Sequence, residues 1–395
     1  MKRPEVDIVI EKTSFLMEKM EYTEQYGTIY FDRLKRLRPL LEISVKKVDS
    51  NICIVEKLSH IPQGRVALIG TLFKKSKKIP TLLNQYKSIK SVDSISFDED
   101  SYVDDSDTCY LEDITSHVNL IIDKDQLAHI VSGTALAVIG ELSNDSSFEI
   151  KSILYPYDKP KPTKLIEDET RCYIALVNDI QYSSEKKDLI LHNILSNELP
   201  FPLIAHAILI GKHVSDPSFI PQYDWFLSSV CNNLNIVTIP SRDDPTNAVY
   251  PYQPIHPSIF AHASSKSTYH STTNPSIISF NGVRTLILSG DVIQHYMKLT
   301  TFKTVNEVIL QLFQCGHLCP CAPSTFPCFP ASSDPFILEE PFPDVIVIGG
   351  FPEQCDSFNF MGKTITIVTV PSFAKQKTII LFDFENKLIK PIKID

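Results

Sequence analysis

Residues 239–260, IPSRDDPTNAVYPYQPIHPSIF, constrain this chain more than any other stretch. They include Pro240, Pro245, Pro251, Pro254 and Pro257. Each proline fixes its own φ, removes a backbone donor and pushes the residue before it towards extended geometry. No helix or central strand can run through such a segment. Yet it carries Arg242, Asp243, Asp244, Asn247 and His256, side chains of the types that bind metals and hydrolyse phosphoesters. It follows the apolar run Ile236-Val237-Thr238-Ile239. The expectation is a stiff loop at the end of a sheet strand, in the position of an active-site loop.

The rest of the chain sorts by texture around that loop. Residues 11–45 place Tyr30, Leu34, Leu37 and Leu41 on one helical face, with Lys35, Arg36 and Arg38 on the other. This predicts an N-terminal helical extension over residues 1–47, broken or kinked at Pro39. Over 48–168 the pattern becomes short strands at 52–55, 65–73, 118–122, 134–141 and 148–155, separated by turn-forming residues. Roughly five short strands in ~100 residues predict an OB-type barrel. Within it, FKKSKKIP supplies Lys74, Lys75, Lys77 and Lys78. These predict a solvated hairpin, with contact to a DNA backbone as the alternative; Phe73 and Tyr86 are the rings nearest in sequence. Residues 91–107 are Ser-rich and acidic, and are expected to form a disordered insertion because they cannot bury enough apolar surface. Residues 158–170 read as a linker. From 169 to 395, near-continuous apolar strands alternate with helical runs, which predicts layered α/β structure with a mixed sheet.

Bulk properties narrow the function. The chain is 43% hydrophobic and 22% charged, which excludes a fully disordered protein. A net charge of −9 argues against wholesale wrapping of nucleic acid. Nine cysteines without a secretory signal suggest free thiols in a reducing, intracellular setting. The longest apolar run, 203–210, is too short to cross a bilayer, so no membrane partner is expected.

Loops at the C-terminal ends of strands form the site in open α/β folds. Here those ends carry Asn178-Asp179, Gly211-Lys212-His213, Ser241-Arg242-Asp243-Asp244, Ser289-Gly290-Asp291 and Ile348-Gly349-Gly350. The arrangement resembles the calcineurin-like metallophosphoesterases, whose corresponding ends supply D-x-H, G-D, G-N-H and later histidines to two metal ions. Against that pattern, Gln181 stands where the second ligand should be, Lys212 replaces an acidic bridging ligand, and Arg242 replaces Asn or His. The last motif ends Gly349-Gly350-Phe351-Pro352. An ammonium repels the cations it should help hold. The expectation is a sandwich lacking its metal ligands, with no catalytic residue, metal or cofactor. Asp179, Lys212, His213, Arg242, Asp243 and His256 would then line a vestigial site mouth. A second grouping, Cys315, His317, Cys319, Cys321 and Cys328, raises zinc. Cys319-Pro-Cys321 is one residue tighter than C-x₂-C, and no second half follows, so a proline-braced loop with incidental thiols is expected.

Several segments in order carry a more specific resemblance: YFDRLKRLRPLL, GRVALIGTLFKKSKKIP, SGTALAVIGEL, the proline-rich stretch itself, TTNPSIISFNGVRTLILSGDVIQ, HLCPCAPSTFPCFP and DPFILEEPFPDVIVIGGF. Together they resemble the B-subunits of eukaryotic replicative DNA polymerases, most closely the polymerase-delta branch. The chain departs from that family at Ser241-Arg242, where Gly and an acidic residue are usual, and at Asp291, where Gln is usual. The resemblance implies an OB domain joined to an inactive phosphoesterase-like domain, acting as a scaffold in the nucleus. The implied partners are the cysteine-rich C-terminal domain of the catalytic subunit of DNA polymerase delta and a third, processivity-linked subunit. DNA would be touched weakly or indirectly. The rival expectations are a working metal-dependent phosphodiesterase or 3′–5′ exonuclease, and the equivalent subunit of polymerase alpha or epsilon.

Overall fold

The computed structural model describes residues 5–17, 19, 22–79, 100–163, 172–196 and 204–394. The chain begins with β1 (Ile8–Ile10), α1 (Tyr26–Val48), β2 (Cys53–Ile54), β3 (Val66–Lys75), β4 (Thr108–Glu112) and β5 (His117–Ile121). Next come α2 (Lys124–Leu127), β6 (Thr134–Leu142), β7 (Phe148–Leu154), β8 (Lys161–Thr163), β9 (Tyr173–Asn178) and α3 (Lys186–Leu195). Then follow β10 (Ile204–Ile210), α4 (Ile220–Val230), β11 (Asn235–Ile239), α5 (Ala261–Ser264), β12 (Tyr269–Ser271), β13 (Ser276–Phe280) and β14 (Val283–Leu288). The last elements are α6 (Asp291–Leu299), α7 (Val305–Gln314), β15 (Val345–Gly349), β16 (Gln354–Phe360), β17 (Lys363–Val370), α8 (Phe373–Gln376), β18 (Thr378–Asp383) and β19 (Leu388–Lys393).

These elements form two compact units, neither contiguous in sequence. One holds Glu21–Lys159 with Val292–Glu339; the other holds Met1–Met20, Pro160–Asp291 and Glu340–Asp395. The division differs from the sequential 1–47, 48–168 and 169–395. Residues 292–339 join the first unit through backbone bonds such as Thr301 N to Ala128 O and Tyr157 N to Gln314 O.

The first unit is built on a six-stranded sheet, β2-β3-β4-β5-β7-β6, that closes on itself through antiparallel β3–β6 pairing. Alternation along β3 explains its position. Val66, Leu68 and Leu72 point into the barrel with Leu111, Val118, Leu136, Val138 and Phe148. Ala67 and Ile69 point outward, with Ala135, Ala137 and Ile139 of β6, onto Leu34, Leu37, Leu41 and Val45 of α1. Those four recur at helical spacing, so one stripe of α1 is buried. The helix runs unbroken through Pro39, which overturns the expected break there. Pro39 is exposed, so its ring and its missing donor lie towards solvent. Four buried apolar side chains at ~1.5–3 kcal/mol each outweigh a proline cost of ~3 kcal/mol. The described residues of 11–25 are not helical, and residues 8–10 pair instead as β1 against β13.

Residues 91–99 of the acidic stretch, and Tyr86, lie outside the described residues. Residues 100–107 are ordered, which corrects the expectation of disorder for that part. Tyr102 N donates to Lys298 O at 2.8 Å, Ser106 N donates to Asp104 at 2.8 Å, and Asp107 meets the Lys74 ammonium. The acidic side chains are used locally, and β4 follows at once.

The second unit stacks two mixed sheets. One runs β1-β13-β14-β15-β17-β16-β8, the other β12-β11-β10-β9-β18-β19. Strands β9, β10, β11 and β12 are mutually parallel, as are β14, β15 and β17. Along β9, Ile174 and Leu176 enter the core between the sheets with Ile208, Val237, Ile287, Val347 and Val368. Ala175 and Val177 face the other way, towards Leu191, Ile194, Tyr223 and Leu227 of α3 and α4. Burial on both faces is why these strands read as continuous apolar runs. Residues 161–163 of the expected linker form β8, paired with β16 at the sheet edge.

Candidate functional site

The C-terminal ends of β9, β10 and β11 in one sheet converge with those of β14 and β15 in the other. The approach is close. A Cβ on Gly349 would sit 2.2 Å from Asn178 Oδ1, and one on Gly211 would sit 2.9 Å from Ser241 Cβ. The backbone turns sharply here: Asp179, Gln181 and Lys212 have φ of 55°, 45° and 32°, a region that L-residues seldom occupy. Such clusters of strain are typical of site loops.

The side chains at this edge are held by one another. Asp179 accepts from Gln181 Nε2 at 2.9 Å and from the Ser372 hydroxyl at 2.5 Å. Lys212 donates its backbone N–H to Ser241 Oγ at 2.9 Å, and its half-exposed ammonium lies 3.7 Å from Asp243. The carboxylate of Asp244 is buried and accepts three bonds: His213 N at 2.7 Å, Ser241 N at 2.8 Å and Ser241 Oγ at 2.9 Å. His213 is fully buried, with Nδ1 3.2 Å from the Tyr223 hydroxyl. Burial pushes its pKa down despite nearby Asp244, which favours a neutral ring. Asp291 accepts from Ser289 Oγ at 3.0 Å, and burial raises its pKa. Asn274 completes the set, donating to Pro240 O at 2.8 Å and Ser289 Oγ at 2.6 Å.

The proline-rich loop is braced from within. Asn247 Oδ1 accepts from Gln253 N at 2.5 Å, and Asn247 Nδ2 donates to Pro251 O at 3.2 Å. Gln253 in turn clasps residues 15–17: its Nε2 donates to Phe15 O and its Oε1 accepts from Met17 N, both at 2.9 Å. Of the candidate residues, Asp179, Lys212, His213, Arg242 and Asp243 sit on the converging loops. His256 does not join them; it is exposed and bonds locally to Ser258. Asp244, Asn274 and Asp291 matter more to the geometry than the sequence suggested. Among the described residues, no three His, Cys, Asp or Glu side chains are grouped so that they could hold a metal ion. Carboxylates committed to backbone N–H groups and hydroxyls fix loops; they do not form an open cage.

The cysteine-rich segment lies in the other unit and is organised by a buried ion pair. Arg33 Nε meets Asp334 Oδ2 at 2.7 Å, with both side chains at 0% exposure. The remaining guanidinium donors reach Gly133 O, Pro320 O and Ala322 O at 2.7–2.9 Å. His317 Nε2 donates to the same Asp334 oxygen at 2.8 Å, while its Nδ1 accepts from Cys319 N at 3.1 Å. Both ring nitrogens are thereby occupied, and neither is left for a metal. Burial and the Arg33 charge lower the His317 pKa to about 4. Burial alone would raise the Asp334 carboxyl, but Arg33 and His317 hold it well below the usual range. Cys319 and Cys321 have sulfurs 3.8 Å apart. Burial pushes the Cys315 and Cys328 thiols up to about 12, so they stay protonated.

Comparison with known sequences gives the geometry a context. Residues 25–153 match the family model described as the DNA polymerase delta subunit OB-fold domain, and residues 200–358 match that of the B subunit of DNA polymerase alpha/epsilon. The chain belongs to the B-subunit family of replicative DNA polymerases. It is 24% identical over 406 residues to a protein named DNA polymerase delta small subunit from Arabidopsis thaliana, covering 94% of this chain and 91% of the relative. A protein of the same name from Saccharomyces cerevisiae is 25% identical over 445 residues, covering 96% and 91%. DNA polymerase delta subunit 2 from Drosophila melanogaster is 24% identical, covering 94% of each.

In this B-subunit family member the lysine run is not a uniform basic patch. The Lys74 side chain is 4% exposed and lies 3.4 Å from Asp107, and burial lowers its pKa. It cannot reach a phosphate, which removes it from the candidate backbone contacts. Lys78 is tied to the Val103 carbonyl at 3.0 Å and lies 3.8 Å from Asp104. Lys75 and Lys77 are exposed.

Proposed function

We propose that this chain is the non-catalytic accessory subunit of a DNA polymerase delta, working in the nucleus as a scaffold. The observation that carries the reading is similarity along nearly the whole chain to proteins named as the small subunit or subunit 2 of DNA polymerase delta. The strand-end geometry supports the finer part, a calcineurin-like phosphoesterase layer that has lost its metal ligands. A lysine and an arginine occupy its loops, and its buried carboxylates cap backbone groups. On this reading the rigid loop edge is a surface for partners rather than a reaction centre. The partners are the cysteine-rich C-terminal domain of the catalytic subunit and a third, processivity-linked subunit.

The test is co-expression with a polymerase delta catalytic chain, followed by tandem purification. The expected result is a stoichiometric complex that is lost when the catalytic chain's C-terminal domain is deleted. Metal analysis and hydrolysis of bis(p-nitrophenyl) phosphate are run on the same material. Stoichiometric Mn or Fe, with turnover abolished by Asp179→Ala, would sink the proposal and favour a working phosphodiesterase.

A further inference from the structure

A row of rings crosses the outer face of the barrel in the first unit. Tyr30 of α1 packs edge-on to Phe73 of β3 at 5.1 Å between centroids. Phe73 stacks on Tyr110 of β4 at 5.5 Å and 20°. Tyr110 meets His117 of β5 edge-on at 5.4 Å. Strand pairing builds the row, because Phe73 and Tyr110 are directly opposed in the ladder, as are Tyr110 and Asn119. Alternation sends Cys109, Leu111, Val118 and Leu120 inward, which leaves Tyr110, His117 and Asn119 on the outer face. Tyr110 is half-buried, while His117 and Asn119 are exposed. The Lys75 ammonium lies 5.0 Å from the Tyr110 ring centroid, and exposed Lys77 follows two residues later.

We infer that this face binds single-stranded DNA, with bases stacking on Tyr110 and His117 and Lys75 meeting a phosphate beside Tyr110. The chemistry is specific to a strand with exposed bases. Ring faces accept any base without reading its edge, and an adjacent cation neutralises the backbone. Strands β4 and β5 are the second and third strands of the barrel, counting from β3, and Lys75 and Lys77 stand at the start of the loop between its first two strands. Those are the positions through which OB barrels engage oligonucleotides. Phe73, wedged between Tyr30 and Tyr110, holds the central ring in place. Glu112, opposite His117 in the ladder, sets the polarity of the face: it repels phosphate at that end and leaves the Lys75 end for the backbone. The choice of DNA rests on the polymerase reading; the platform itself does not.

The experiment measures fluorescence anisotropy of a labelled 20-nucleotide oligo-dT titrated with the full chain over a range of salt. Salt-sensitive binding is expected, with a duplex of equal length binding less well. Tyr110→Ala should weaken binding about tenfold, within the range for one base–aromatic stack, whereas Tyr110→Phe should retain it. Lys75→Gln should reduce the log–log salt slope by about 0.7, one phosphate's share on a single strand. Trp225→Ala, in the other unit, should bind like the parent chain. Absence of oligo-dT binding, equal binding to duplex, or Tyr110→Ala binding as tightly as Tyr110→Phe would each overturn the inference. Co-purification with a catalytic chain is scored separately: its survival without oligo-dT binding would sink this inference alone.

Discussion

Replacing Arg33 with Met removes the charge around which the first unit closes. The side chain fits by length, but four donor contacts of 2.7–2.9 Å disappear together: one to Asp334 and three to the carbonyls of Gly133, Pro320 and Ala322. Asp334 would be left buried with only the His317 Nε2–H and the Phe336 N–H as donors among the described residues. Stripping one partner from a buried ion pair costs ~3–5 kcal/mol, much of it the penalty of the orphaned charge. That is comparable to half the stability of an ordinary domain, typically ~5–15 kcal/mol. Arg33→Lys should recover little, since an ammonium can satisfy Asp334 but cannot span three carbonyls in a planar fork. Arg38→Met is the control: its partner Glu42 is half-exposed, and such surface pairs contribute ~0–1 kcal/mol. Hydrogen exchange read by mass spectrometry on peptides from 26–48 and 315–339 reports the change locally. Arg33→Met should raise opening there between about 100-fold and about 4,000-fold, from ~3–5 kcal/mol at ~1.4 kcal/mol per decade. A rise below tenfold, or one matched by Arg38→Met, would refute the idea that the guanidinium holds these segments together.

Other outcomes follow from the same geometry. His317, with its pKa lowered from 6.5 to about 4, binds protons less readily folded than unfolded. Its contribution, roughly 3 kcal/mol at about 1.36 kcal/mol per pH unit, is therefore full above pH ~6.5 and is lost as pH falls towards ~4. Urea midpoints at several pH values should show that slope, and His317→Gln, which keeps a donor for Asp334, should flatten it. Gly349→Ala should destabilise the second unit by ~1–3 kcal/mol, because its Cβ would stand 2.2 Å from Asn178 Oδ1; an unchanged urea midpoint would contradict the close approach of the strand ends. Prolonged dialysis against EDTA should leave the Tm unchanged, since a resident metal would have stabilised the folded state by mass action.

Much of this was legible in the sequence, for identifiable reasons. Strands buried on both faces, such as β9, β10 and β15, are near-continuous apolar runs, and no surface demand blurs them. The proline-rich loop was recognisable because proline imposes its geometry locally. What stayed hidden depends on partners far along the chain. Pro39 sits in a helix because packing by Leu34, Leu37, Leu41 and Val45 overrides a local cost. Lys74 looked like one of four equal lysines until Asp107 was placed beside it. The row from Tyr30 to His117 has no signature in any single segment, since strand register alone brings Phe73 beside Tyr110. Asp244 stood in plain view beside Asp243, and nothing in their order marked the buried member of the pair.

The Arg33–Asp334 bond joins residues 301 positions apart. That separation has a consequence during synthesis. At ~5–20 residues per second, roughly 15–60 s pass between the emergence of the arginine and that of the aspartate that neutralises it. Through that interval the helix bearing Arg33 is made, but its charge has no burial site, so the first unit cannot close while the second is being translated. A gene fragment ending at Lys159 would stay in that unfinished condition. The order in which the ribosome delivers this chain therefore differs from the order in which its two units can be completed.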